Sequence, residues 1–65
     1  MKIVLNGQPQ EIPEHITISG LIAHLQIKGP LAVELNRQVC PKKLHAETIL
    51  KENDQVEIVT IVGGG

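Results

Sequence analysis

The run Val62, Gly63, Gly64 and Gly65, one apolar residue followed by three glycines, is where residue types and spacing first suggest chemistry. Glycine has no Cβ and loses the most conformational freedom on ordering, so a closing triplet of it contributes little to a fold. Its useful property is thinness. Three residues without side chains pass through a channel too narrow for any other sequence. They would present one group, the Gly65 α-carboxylate, to a site on another protein. The same composition also reads as a flexible linker or an expression scar.

The remaining chemistry-bearing residues form no second constellation. Cys40 is the single cysteine; it has no CxxC partner and no sequence-adjacent histidine to activate it as a relay thiol. It reads as a small buried or strand-end residue beside Pro41. His15, His24 and His45 match no metal-ligand spacing and read as surface or helix residues. Glu52, Asn53 and Asp54 read as turn chemistry rather than a catalytic acid pair. Lys42 and Lys43 read as a solvated pair, with partner steering as a secondary role. The phosphate-cradling pattern GxxxxGK[ST] is absent, so the chain offers no ATP loop of its own.

Sixty-five residues make one small domain with a single core, and such a body has little room for a cleft of roughly 300 Å³ or more around a substrate. An autonomous enzyme is therefore disfavoured. The formal net charge is −1 and the six Lys and Arg residues are scattered, which leaves no electrostatic footprint for nucleic acid or an anionic membrane. Phe, Tyr and Trp are absent, which removes base-stacking platforms and the aromatic anchors of permanent interfaces. A lone cysteine excludes an internal disulfide and fits a reducing compartment. With no signal pattern and no membrane-length apolar run, the expected setting is the cytoplasm, and the expected free state is a monomer.

The elements that must carry the glycine end follow from periodicity. Lys2–Leu5 is a β-rich run followed by Asn6-Gly7, a strong hairpin signal. The return strand is expected over residues 10–12, bracketed by Pro9 and Pro13. Thr17 suits a helix N-cap. Ile18, Leu21, Ile22 and Leu25 then recur at helical spacing, and Ile16 pairs with Leu21 as a staple. Gly20 weakens this helix, and Gly29-Pro30 is expected to end it. Leu31–Leu35 alternates as a strand with Leu31, Val33 and Leu35 on one face. Asn36-Arg37 turns into a short strand over Gln38–Cys40, residues 42–50 stay unassigned between irregular chain and one helical turn, and residues 51–54 form a turn. Residues 55–61 form the last strand, with Val56, Ile58 and Thr60 inward and Gln55, Glu57, Val59 and Ile61 outward.

One helix over one sheet is an α+β two-layer arrangement. This element order with the Gly-Gly end resembles the ubiquitin-like β-grasp superfamily, a mixed four- to five-stranded sheet packed on one main helix. Within it the sequence is similar to the ThiS family, the sulfur carriers of thiamine thiazole biosynthesis. The resemblance spans the whole chain. It rests on KIVLNG, TISGLIAHL, AVELNRQVCPK, LKENDQVEIV and the VGGG end, and it divides the chain into a β-grasp domain over residues 1–62 and a flexible glycine tail over 63–65.

The resemblance implies a carrier that is not itself an enzyme. An α-carboxylate, with an ordinary pKa of about 3.5, is unreactive towards nucleophiles at neutral pH. Transfer of AMP from ATP, on a partner related to ubiquitin-activating enzymes, would activate Gly65. Attack by sulfur from a cysteine desulfurase route would leave a thiocarboxylate, which thiazole synthase would receive. Gly63 and Gly64 would thread the end into these partners, and ATP would belong to the activating enzyme, with no tightly bound cofactor on the chain. Because the first and last strands are neighbours in this fold, Val4, Val59 and Ile61, leading to Val62, are expected to form one apolar docking patch. The alternatives are the small subunit of molybdopterin synthase, a ubiquitin-like modifier joined to lysines, and a module whose glycines are inert.

Overall fold

The computed structural model describes residues 1–61, arranged as β1 (Lys2–Leu5), β2 (Gln8–Glu11), α1 (Ile18–His24), β3 (Leu31–Leu35), β4 (Gln38–Cys40), a 3-10 turn (Lys42–Leu44) and β5 (Gln55–Thr60). The five strands make one mixed sheet in the order β2-β1-β5-β3-β4. Its last strand is its centre. β5 runs parallel to β1 and antiparallel to β3, while the two outer pairs are antiparallel hairpins. The α+β arrangement with one helix on one face of the sheet is thus the one expected from the sequence.

Both hairpins turn on the dipeptides that the sequence marks. Asn6 and Gly7 have φ of 49° and 80°, and Asn36 and Arg37 have φ of 51° and 71°. Paired positive φ values match the right-handed twist of the flanking strands. A two-residue loop forces β2 to begin at Gln8, opposite Leu5, rather than at residue 10. Pro9 therefore lies inside the strand, not before it, and Ile12 lies just beyond it. Proline is tolerated there because Leu5 and Gln8 form the hydrogen-bonded pair that closes the loop. The next pair, Val4 and Pro9, is non-hydrogen-bonded, and Pro9 turns its missing N–H to the open edge of the sheet.

The helix is capped as the sequence predicts but is shorter. Thr17 has an extended backbone, and its hydroxyl accepts a 3.0 Å hydrogen bond from the Gly20 N–H. The end comes at Gln26, not at Gly29. Gln26 takes φ of 58°, its N–H donates to Ala23 O at 3.0 Å, and the Ile27 N–H donates to Ile22 O at 3.2 Å. These two bonds satisfy the last carbonyls in a Schellman arrangement, and Ile22 and Ile27 both pack against the core.

Gly20 is more than a weak helix residue. A Cβ there would lie 2.8 Å from Ile16 Cγ1 and 3.4 Å from the Thr17 hydroxyl, because Ile16 folds back over the first turn. Gly20→Ala raises helix propensity by about 1 kcal/mol, yet it is expected to lower the melting temperature in far-UV circular dichroism. A higher melting temperature would mean that Ile16 gives way without cost.

The core lies between α1 and the inner sheet face. Ile3, Ile18, Leu21, Val33, Leu50 and Val56 are its fully buried side chains, with Ile12, Cys40 and Ile58 beside them. Each fully buried aliphatic side chain contributes roughly 1.5–3 kcal/mol. Thr60 faces inward by alternation but is exposed, since the end of β5 runs past the helix's cover. β5 itself closes at Thr60, one residue earlier than expected, although the Ile61 N–H still donates to Pro30 O at 2.9 Å.

Residues 42–50, ambiguous in sequence, contain the 3-10 turn and then pair with the chain leading into the helix. The Ile18 N–H donates to Thr48 O at 3.0 Å and the Leu50 N–H to Ile16 O at 2.9 Å, around a Thr17–Ile49 bridge. His45 is the departure from expectation: it is only 6% exposed. Its Nε2 lies 2.9 Å from Cys40 O, and its carbonyl accepts from the Ser19 N–H at 3.0 Å. It joins the end of β4 to the first turn of α1, a role that no local pattern reports.

Candidate functional site: the last strand and its outlet

The strand leading to the glycines is gripped from both sides by two asparagines. Asn6 sits where β1 ends, and its side chain continues the ladder along β5. Oδ1 accepts from the Ile58 N–H at 2.8 Å and Nδ2 donates to Ile58 O at 3.3 Å, while the Asn6 backbone N–H donates to Val56 O at 2.9 Å. Asn36 does the corresponding work at the start of β5: its Oδ1 accepts from the Gln55 N–H at 2.9 Å, its Nδ2 donates to Asp54 at 3.0 Å, and its backbone N–H donates to Gln55 O at 2.7 Å. Sequence reasoning treated both residues only as turn formers. A short side-chain amide one residue past a strand end can mimic a backbone peptide, and that was the available signal.

Asp54 completes the grip by accepting from the Lys51 N–H at 2.8 Å. The turn over residues 51–54 is thereby closed by its own side chain, in line with the turn chemistry assigned to it. Asn53, at φ of 70°, donates its N–H to Lys2 O at 2.8 Å. β5 is held before, during and after its pairing with β1.

The outer sheet face carries the predicted docking residues. Val59 and Ile61 are 61% and 53% exposed, and Val59 lies opposite Ala32 on β3. Val4 shares that face, but its β5 partner is Gln55, four residues before Val59, which at a strand rise of about 3.3 Å puts it about 13 Å away. Glu57 intervenes, so Val4 does not join Val59 and Ile61 in one patch. The reason is register: alternation assigns a residue to a face, but only pairing fixes its height along the strand. Ala32 takes the place expected for Val4.

Below the Val59–Ala32 pair, Glu34 and Glu57 are directly opposite each other, with Val39 paired to Glu34 and 72% exposed. Like charges in such a pair oppose folding slightly. The expected positions Val62, Gly63, Gly64 and Gly65 lie outside the described residues.

Cys40 is buried, as expected, with its Sγ near Pro41 O and the Thr48 hydroxyl at 3.9 and 3.8 Å. His15 and His24 are exposed. Among the described residues, no three His, Cys, Asp or Glu side chains cluster as metal ligands, and no helix is long and apolar enough to cross a membrane.

Residues 3–65 match the model of the ThiS family. A thiazole synthase of Paramagnetospirillum magneticum is 33% identical over 66 residues; the match takes in all of this chain and 20% of that protein. The chain thus spans about a fifth of the length of such relatives. The sulfur carrier protein ThiS of Escherichia coli is 27% identical, with both chains covered completely. The crystal structure of the thiamine biosynthesis protein ThiS from Geobacter metallireducens superposes with a TM-score of 0.86 at 29% identity, again over all of both chains. That superposition places the sheet order and single helix within the ubiquitin-like β-grasp fold. With the match running from β1 through the glycines, the chain belongs to the ThiS family, that of the E. coli sulfur carrier protein.

Proposed function

We propose that this protein is a sulfur carrier of thiamine biosynthesis whose working group is the Gly65 carboxylate. The observation that carries the reading is the family match over residues 3–65, glycine end included, on a body whose central strand leads directly to that end. In the proposed sequence, a Gly65 carboxylate oxygen attacks the α-phosphorus of ATP on an adenylating partner, releasing pyrophosphate and forming the acyl adenylate. A persulfide from a desulfurase route attacks the acyl carbon and expels AMP. A thiol then cleaves the acyl disulfide, leaving the Gly65 thiocarboxylate and a disulfide between the donor and that thiol. Thiazole synthase receives the sulfur; the similarity of this chain to part of thiazole synthases supports that link.

The chain's own contribution is positioning. Hydrogen bonds with Asn6 and Asn36 fix β5, and Ile61, Val62 and three glycines follow it in sequence. The exposed Val59–Ala32 pair with Ile61 offers apolar contact next to the outlet. The Glu34–Glu57 pair favours a partner that brings Lys or Arg against it.

An adenylating enzyme of this class should exchange labelled pyrophosphate into ATP only when the carrier is present. Exchange that is independent of the carrier would refute adenylation of this chain. Val59→Asp should weaken the enzyme's binding about tenfold or more while lowering stability by no more than about 1 kcal/mol, since the site is exposed. Equal affinity in calorimetry would remove Val59 from the interface.

A further inference from the structure

Of the three asparagines, Asn6 alone is followed by glycine; Asn36 precedes Arg37 and Asn53 precedes Asp54. In an Asn-Gly pair the glycine nitrogen can attack the asparagine Cγ and close a five-membered imide, unhindered by a side chain on the attacking residue. The hairpin leaves this pair open to water. Both residues are exposed, and a Cβ built on Gly7 would meet nothing within 4 Å.

The folded turn opposes the attack in two ways. Its paired positive φ values, 49° at Asn6 and 80° at Gly7, are those of a type I′ turn, which sets ψ of the first residue at about 30°. At that angle Asn6 Cβ and the Gly7 nitrogen lie nearly opposite each other about the Cα–C bond, whereas the imide needs them almost eclipsed. The side-chain amide is also engaged elsewhere. Its Oδ1 accepts from the Ile58 N–H at 2.8 Å and its Nδ2, the group that must leave, donates to Ile58 O at 3.3 Å. Ring closure therefore requires the turn to open and β5 to release Asn6.

We infer that Asn6-Gly7 is a site of spontaneous deamidation held off by the grip of Asn6 on β5. On release, the Gly7 nitrogen attacks Asn6 Cγ and gives up its proton to solvent, and Nδ2 leaves as ammonia. One water then opens the imide at either carbonyl, giving aspartate or isoaspartate at position 6. The balance is ammonia exchanged for water, with no oxidant or reductant. Aspartate sets a carboxylate against the Ile58 carbonyl in place of the lost donor. Isoaspartate also routes the backbone through Cβ and so lengthens a two-residue loop. A chain modified while open refolds with a weaker hold on its central strand.

The test follows the mass of the full chain in one mildly alkaline buffer, folded and in concentrated urea. Conversion replaces NH2 by OH, a gain of about 1 Da, and fragmentation locates it. The denatured chain should convert first at Asn6, and the folded chain at least about tenfold more slowly, since the turn must open before it reacts. The converted chain, separated by ion exchange on its added negative charge, should unfold at a lower denaturant concentration than the unconverted one. Equal rates in the folded and denatured chains would show that the grip holds nothing off. No conversion in urea, or faster conversion at Asn36 or Asn53, would remove the site, and equal stability of the converted chain would remove its effect on β5. None of these steps involves Gly65, so failure here would leave the proposed function untouched.

Discussion

Deleting Gly65 should abolish sulfur loading while leaving the fold unchanged. The acyl adenylate forms only if the terminal carboxylate reaches the α-phosphorus in line. A chain one residue shorter retracts that group by up to about 3.5 Å, and misplacement by about 1 Å can cost 10²-fold in rate. Loading should therefore fall at least a hundredfold. On the proposed reading the described body would not advance to compensate, because the Ile61 N–H is tied to Pro30 O. The melting temperature should stay within about 1 °C, since among the described residues no core side chain lies beyond Ile58. Thiocarboxylate formation at the normal rate on a chain ending at Gly64 would show that Gly65 is not the working residue.

The largest expected stability effect away from the aliphatic core is at Asn6. Asn6→Ala removes both side-chain bonds to Ile58. It leaves a part-buried backbone N–H of the central strand without its partner and places alanine at φ of 49°. The unsatisfied donor costs about 1–3 kcal/mol, and the left-handed backbone adds about 1 kcal/mol. A loss of about 3 kcal/mol is a large share of what holds a domain of this size, about 0.05–0.15 kcal/mol per residue. Two further variants divide the effect. Asn6→Gly keeps the backbone angle and loses the bonds, and Asn6→Asp keeps the acceptor for the Ile58 N–H and loses the donor. Chemical denaturation followed by circular dichroism should rank them wild type, then Asp, then Gly, then Ala in falling stability. If Asn6→Gly matched the wild type, the side-chain grip on β5 would be immaterial.

The two asparagines also show where sequence reading stopped. The type of each local element was legible because its cause is local: Asn6-Gly7 and Asn36-Arg37 favour positive φ, Thr17 is a capping residue, and alternation over residues 55–61 marks a strand. What Asn6 does with its side chain depends on β5 lying beside β1, with its partner Ile58 52 residues away in sequence. The same holds for Leu50 and His45, buried by the chain leading into the helix and by the end of β4. Sequence alone puts Pro9 outside its strand because proline disfavours a ladder, yet the two-residue loop places it where no donor is needed. Propensity favours Gly29 as the helix end, while the Gln26 N–H to Ala23 O and Ile27 N–H to Ile22 O bonds set the stop at Gln26.

For the candidate site, the glycine end stands out in the sequence, but composition alone reads it equally as a flexible linker; the family resemblance supplies its proposed role. The proposed docking face was half legible. Alternation put Val4 and Val59 on one side of the sheet, but their separation follows from the Val4–Gln55 register, and no single-strand pattern contains that. The Glu34–Glu57 pair was hidden for the same reason.

The most direct test of the central claim weighs the protein itself. Full-length carrier incubated with an adenylating enzyme of the ubiquitin-activating class, ATP, a cysteine desulfurase with cysteine, and a thiol reductant should gain about 16 Da as sulfur replaces one oxygen, with fragmentation placing the gain on Gly65. An unchanged mass with an enzyme that binds the carrier and exchanges pyrophosphate into ATP in its presence, or amide-linked conjugates in place of the gain, would contradict it.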